Sequence, residues 1–176
     1  MEVKFKKLSD KAVLPYKAHS TDAGLDLTCT NITSEINECG QFILVYHTGI
    51  AAEIPAGYVG LLFQRSSICK KSLSLTNAVG VVDSGYRGEI LLKFKNTSGD
   101  SIPAVYNIGD RVAQLIIMPY PEIEPVFVED LSESERGEGG YGSSDNKDIS
   151  ADTGSHNNEA EPDQAAEPTN GSESDK

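Results

Sequence analysis

Apolar residues in this chain gather in short runs separated by turn formers. Runs rich in Val, Ile, Leu, Phe and Tyr fall at 42–46, 58–63, 79–82, 90–94, 112–118 and 126–128, with Gly, Pro, Asn, Asp or Ser between them. Runs of that length, punctuated in that way, predict β-strands. No stretch sustains a helical period for long. The best helix is short, from Ser66 to about Ser72, just after Arg65. Many short strands with at most one short helix predict an all-β fold, a sandwich, jelly roll or small barrel. Internal repeats are not evident.

Composition changes this picture at the C-terminal end. The 176 residues are 38% hydrophobic, which suits one core of ordinary size at ~100–200 residues per domain. From Asp145 to Lys176, however, there are nine acidic and two basic residues, with Ile149 the only large aliphatic side chain and no Phe, Trp or Tyr. Such a stretch buries too little apolar surface to offset its ordering entropy, so a disordered tail is expected. The expected layout is a β core over 1–135, a Gly-rich mobile arm over 136–144 and an acidic tail over 145–176.

Charge and cysteine content then narrow the function. The net charge is -12, of which the tail supplies -7, leaving -5 for residues 1–144. That balance argues against nucleic-acid binding, which rests on Lys and Arg neutralising phosphates. An anionic ligand would need a few placed cations or a metal. Cys29, Cys39 and Cys69 are odd in number and show no CxxC spacing, so neither a disulfide framework nor a structural zinc is expected. The start, Met-Glu-Val-Lys-Phe-Lys-Lys, has no apolar run fit for a signal peptide or membrane span. A soluble, cytoplasmic protein without membrane contact is the expectation.

Five islands exceed what a plain β domain needs. Asn77 through Gly88 reads as an apolar strand ending in Asp83, a Ser-Gly turn and Tyr86 on the return. This gathers a carboxylate, a phenol and exposed backbone around one bend, a way to build a pocket for a small polar ring. Asp22-Ala23-Gly24-Leu25-Asp26-Leu27 sets two carboxylates about a small-residue turn; alone, it reads more readily as a loop closing onto a strand. Arg65-Ser66-Ser67 stands at the end of an apolar run, fit either to bind an anion at a helix start or to cap that helix. Gln114 interrupts the apolar strand within Gly109–Leu115, so its amide either stitches the core or faces a ligand. Arg136 through Ser144 holds four glycines around Tyr141; a linker explains the glycines, and a phosphate-gripping segment also explains Arg136 and Tyr141.

In this order, Ala23–Leu27, Arg65–Ser67, Asn77–Gly88, Gly109–Leu115 and Arg136–Ser144 resemble the five motifs of the trimeric dUTPase family. The resemblance spans nearly the whole core. It implies a dUTPase-like distorted β-barrel or jelly-roll subunit, a homotrimer with shared active sites, and Mg²⁺-assisted hydrolysis of dUTP to dUMP and pyrophosphate. Such an enzyme keeps uracil out of DNA and supplies dUMP for thymidylate synthesis. By the same resemblance, Asn77 and backbone around Val81, Val82 and Asp83, with Leu91, would line the uracil-deoxyribose pocket. Tyr86 would exclude a ribose 2′-hydroxyl. Asp83 would activate the water attacking the α-phosphorus. Arg65, Ser66, Ser67 and Gln114 would hold the phosphates, with Asp26 reaching the Mg²⁺ through water. Tyr141 would stack on uracil from a neighbouring chain, while Arg136, Gly142, Ser143 and Ser144 complete the grip on the γ-phosphate.

The chain departs from the family pattern at three positions. Tyr141 stands where Phe is usual, Ser67 replaces a Gly, and Asp145 follows Ser144 where Gly is common. Arg-Ser-Ser also fits the related dCTP deaminases, but the positions where those enzymes carry an Arg and a catalytic Glu hold Lys70 and Lys93. A non-catalytic, dUTP-binding regulatory protein on the same fold is a further alternative, although Asp26, Arg65, Asp83, Gln114 and Arg136 are all present.

Overall fold

The computed structural model describes residues 1–98 and 104–140. Ten strands follow one another: β1 Lys4–Lys7, β2 Leu25–Thr28, β3 Asn31–Ile36, β4 Phe42–His47, β5 Ile50–Glu53, β6 Tyr58–Gln64, β7 Leu73–Leu75, β8 Gly80–Val82, β9 Leu91–Asn96 and β10 Arg111–Pro119. The only helix among the described residues is a single 3-10 helix, Ser66–Lys70, between β6 and β7. It occupies most of the predicted helical stretch but is too short to bury any residue.

Two four-stranded antiparallel sheets, ordered β2-β10-β6-β8 and β3-β4-β9-β7, carry the core, and β1 pairs with β5 alongside. Alternation explains which faces meet. On β4, Ile43 and Val45 are buried together with Tyr46, and on β9 Leu92 and Phe94 are buried while Lys93 and Lys95 are exposed. Leu62, Val82, Val112 and Leu115 of the other sheet join Tyr46, Leu92 and Phe94 in one cluster, which Ile43 and Val45 do not enter. Tyr46, Phe94 and Tyr106 meet edge to face at its centre, with centroids 5.4 to 6.1 Å apart, an arrangement their ring quadrupoles favour. Two antiparallel sheets closing over one core form a jelly-roll-like all-β fold.

A bulge between Arg111 and Ala113 interrupts the β10–β2 register. It lets neighbouring Val112 and Ala113 both be buried and leaves Arg111 half-buried at the sheet end.

The strand expected at 126–128 does not form. Val126, Phe127 and Val128 are 73%, 108% and 59% exposed and have no ladder partner among the described residues. An apolar run becomes a strand only where another edge takes up its amides and carbonyls. Conversely, β1, β3, β5 and β7 form from segments too polar, too Ala-rich or too short to stand out by hydrophobicity. The compact unit that carries all ten strands runs Met1–Pro125, and a second begins at Val126.

Candidate functional site

β8 ends at Val82, and the chain turns through Asp83-Ser84-Gly85-Tyr86, closed by the Tyr86 amide donating to the Asp83 carbonyl at 3.0 Å. Beside this turn opens a cavity of about 200 Å³ bordered by Asn77, Val81, Val82, Asp83, Tyr86 and Leu91. Pairing of Leu61 with Val81 and Leu62 with Gly80 fixes its floor. A Cβ at Gly80 would press on the Leu62 side chain at 3.0 Å.

The opposite rim is strained. Ala78 has φ +57, and the Asn77 carbonyl accepts the Val79 amide at 2.5 Å, a tight three-residue turn. A non-glycine residue in the left-handed region costs roughly 1–2 kcal/mol, and such strain concentrates where backbone must be presented to a ligand. Asp83 is exposed, and its carboxylate has no hydrogen-bond or ion-pair partner among the described residues. The Tyr86 hydroxyl donates to the Glu89 carbonyl at 2.9 Å. The ring lies over Gly88, where any Cβ would collide with its hydroxyl end.

A second group of polar residues surrounds Asp26 at the ends of β2, β6 and β10. Asp26 is only 3% exposed, yet both its oxygens are occupied: Oδ1 accepts Arg65 Nε at 2.9 Å and Oδ2 accepts Arg111 Nη1 at 2.9 Å. Two charge-assisted bonds offset the desolvation of one carboxylate and fix both guanidinium groups. Arg65 Nη1 also donates to Ser67 Oγ at 3.4 Å, and Ser67 Oγ lies 3.4 Å from the Tyr106 hydroxyl.

The 3-10 helix has no side-chain cap at its N-terminus, so a capping role does not account for Ser66 and Ser67. Exposed Ser66 leaves its hydroxyl and amide open to an anion. Gln114 sits beside Asp26 on the ladder and is half-buried. Its side chain lies over Gly24, whose missing Cβ would stand 3.1 Å from it. The Gln114 amide has no partner among the described residues, so it does not stitch the core. Asp22 has a separate role: its carboxylate accepts the His19 amide at 2.9 Å, which holds it below the ordinary 3.8 and closes the turn before β2. His19 therefore belongs to that turn.

One chain does not bring the two groups together. Val82 pairs with Gly60, which places Asp83 beside Val59, six residues before Arg65 on the same strand line. At ~3.3 Å per residue this is about 20 Å. In the second unit, exposed Arg136 donates from Nε to the Gly139 carbonyl at 2.8 Å within a turn where Gly137 has φ +53. Tyr141, Gly142, Ser143, Ser144 and the acidic stretch from Asp145 lie outside the described residues.

Two residues at these sites escape sequence reasoning. Arg111 lies within the Gly109–Leu115 island, but its tie to Asp26 spans 85 positions. Glu89 borders the cavity and braces the hairpin through contacts about 40 positions away.

Residues 10–145 match the model of the dUTPase family. The deoxyuridine 5′-triphosphate nucleotidohydrolase of Gloeobacter violaceus is 39% identical over 145 residues, covering 82% of this chain and 97% of that protein. Among solved structures, a variant of the Staphylococcus bacteriophage 80alpha dUTPase with dUpNHpp superposes with a TM-score of 0.69 at 32% identity, covering 81% of this chain and 98% of that one. A variant of the phage phi11 dUTPase of S. aureus, described for its coordination of a structural Mg(II) ion, matches with a TM-score of 0.61 at 29% identity. That match covers 74% of this chain and 98% of the other.

Proposed function

The chain belongs to the dUTPase family, and on that footing we propose that it hydrolyses dUTP to dUMP and pyrophosphate in a site shared between chains. The observation that carries this reading is the hairpin cavity. It is sized for a small ring, walled by Val81, Val82 and Leu91, and has an unpartnered Asp83 carboxylate at its mouth. Asn77 and the backbone of its strained turn read the uracil edge. Tyr86 packs under the sugar, where a 2′-hydroxyl would collide with the ring. Exclusion by shape suits this task, because an apolar pocket alone rejects an added hydroxyl poorly, by about 100-fold.

Asp83 orients and deprotonates the water that attacks the α-phosphorus. A carboxylate is a weak base at neutral pH, so positioning supplies much of the acceleration. Arg65, Ser66, Ser67 and Gln114 hold the triphosphate, with Arg65 locked by Asp26. The separation of about 20 Å along β6 favours a site in which Asp83 and Arg65 come from different chains. A second copy supplying the phosphate-binding half fits the homotrimer that the family resemblance implies. Arg136, Tyr141, Gly142, Ser143 and Ser144 close the site from a further chain and exclude water.

On this reading Mg²⁺ enters as a companion of the substrate. No three His, Cys, Asp or Glu side chains cluster to hold an ion among the described residues, and both Asp26 oxygens already accept guanidinium bonds. Mg²⁺ keeps several waters and takes phosphate oxygens as ligands, so Asp26 would meet it only through water. When bound, the ion neutralises charge on the phosphate oxygens.

Lys93 forms an exposed ion pair with Glu35 at 2.7 Å, so the position at which the deaminases carry their catalytic Glu holds a paired cation. No helix among the described residues is long and apolar enough to cross a membrane. The three free cysteines fit a reducing cytoplasm. Product analysis with dUTP and dCTP, with and without Mg²⁺, tests the reading. dUMP and pyrophosphate from dUTP alone are expected, whereas ammonia from dCTP would assign a deaminase.

A further inference from the structure

We infer that Glu89 is a positioning residue that sets how strongly the pocket rejects ribonucleotides; this rests on the uracil-deoxyribose reading of the hairpin. Tyr86 is tied to the rest of the fold through its hydroxyl, which donates to the Glu89 main-chain carbonyl at 2.9 Å. The Tyr86 ring can be no better fixed than that carbonyl.

The Glu89 side chain adds a second hold to that of its own peptide unit. Oε1 accepts the Gly49 amide at 2.8 Å, and Oε2 lies 3.1 Å from His47 Nδ1. The His47 ring is itself held from its other side, with Nε2 2.9 Å from Thr33 Oγ1. Gly49 has φ +67, and a Cβ there would lie 2.9 Å from Ser9 Cβ, so only glycine can offer its amide at this corner. Next to Glu89, the Ile90 amide donates to the Ile50 carbonyl at 2.9 Å, and Thr48 Oγ1 donates to the Ile90 carbonyl at 2.7 Å.

The return strand of the hairpin is thus bolted to the corner between β4 and β5, on a part of the molecule far from it in sequence. Side chains at 87 and 88 add no comparable bolt: Arg87 bonds only to the carbonyls of Ser84 and Tyr86 within its own turn, and residue 88 is glycine. Glu89 is therefore the one side chain of the return turn that couples Tyr86 to the sheet. Without its carboxylate, the carbonyl keeps only the hold of its own peptide unit through the Ile90 amide, the Tyr86 ring gains freedom to retreat, and a 2′-hydroxyl is accommodated.

The test compares kcat/KM for dUTP and for UTP in the unaltered full-length protein, Glu89→Ala, Glu89→Gln, Tyr86→Phe and Tyr86→Ala, with thermal melting as a check on folding. Glu89→Ala and Tyr86→Phe should each lower the dUTP/UTP ratio by about 10-fold, and Glu89→Gln, whose amide oxygen still accepts the Gly49 N–H, should keep it within about two-fold. A merely structural role would lower stability and leave the ratio unchanged. If Tyr86→Ala collapses the ratio while folded Glu89→Ala does not, Glu89 has no positioning role and the pocket reading stands. Should Glu89→Ala fail to fold, an unchanged ratio in Tyr86→Phe overturns the inference. If Tyr86→Ala itself leaves the ratio untouched, the pocket reading fails and the inference falls with it.

Discussion

Arg65 meets Asp26 through its Nε at 2.9 Å, so the buried carboxylate grips the guanidinium from the side and leaves its outer edge uncommitted. Its Nη1 lies only loosely on Ser67, at 3.4 Å. Asp26 thus fixes the plane of the Arg65 guanidinium, and its own charge is balanced by Arg111 on the other oxygen.

This relationship makes Asp26→Asn informative. Both guanidinium groups are partly exposed and can recover water, so the stability loss should be about 1–3 kcal/mol. KM for dUTP should rise more steeply than kcat falls, because Arg65 loses its orientation. Steady-state kinetics with a parallel denaturant melt measure both; an unchanged KM would detach Arg65 from phosphate binding.

Asp83→Asn should bind a non-hydrolysable dUTP analogue with near-normal affinity and lose about 100- to 10,000-fold in kcat, the range expected for a general base. Calorimetric titration and a pyrophosphate-release assay separate the two effects. Undiminished turnover would remove Asp83 as the base.

Ending the chain after Ser144 should leave activity intact, while deletion from Arg136 should cripple it. If both truncations behave alike, the segment 136–144 is not the closing element, and the acidic stretch has a role that its composition does not reveal.

Burial raises the Cys29 thiol to about 11 from an ordinary 9.0 and the Tyr46 phenol to about 12 from 10.0. The unfolded chain releases these protons at lower pH than the folded one, so it binds fewer protons throughout this window and stability falls as pH rises. Stability should be insensitive to these groups below pH 9.0 and decline from there towards about 12. Denaturant melts across that range in the parent and in Cys29→Ala test it, with the variant losing the earlier part of the decline. Exposure leaves Cys39 and Cys69 open to thiol reagents in the native state, whereas burial shields Cys29 until the chain unfolds.

Much of this molecule was legible because hydrophobic alternation and turn chemistry are local. β4, β6, β8, β9 and β10 coincide with apolar runs, and the 3-10 helix begins at the expected Ser66. β3 was not visible because Asn31–Ile36 is a largely exposed strand whose identity comes from pairing with β4. The run 126–128 misled for the opposite reason: it has the composition of a strand and no partner edge among the described residues. At the site, the Asp83 hairpin could be read because its parts lie within a dozen residues. The clamp of Arg111 on Asp26 and the brace of Glu89 on Gly49 could not, since contacts between distant positions leave no mark on local pattern.

The central claim is that Asp83 of one chain works with Arg65 of another. Asp83→Asn and Arg65→Gln should each be nearly inactive alone. Dissociated, mixed in equal amounts and reassembled, they should regain activity. A shared site needs its Asp83 from an Arg65→Gln chain and its Arg65 from an Asp83→Asn chain, each drawn with even odds, so about one quarter of sites are restored in a closed symmetric oligomer. Recovery near that level, measured as pyrophosphate release from dUTP, is the predicted result. A mixture no more active than its separate components would contradict the account.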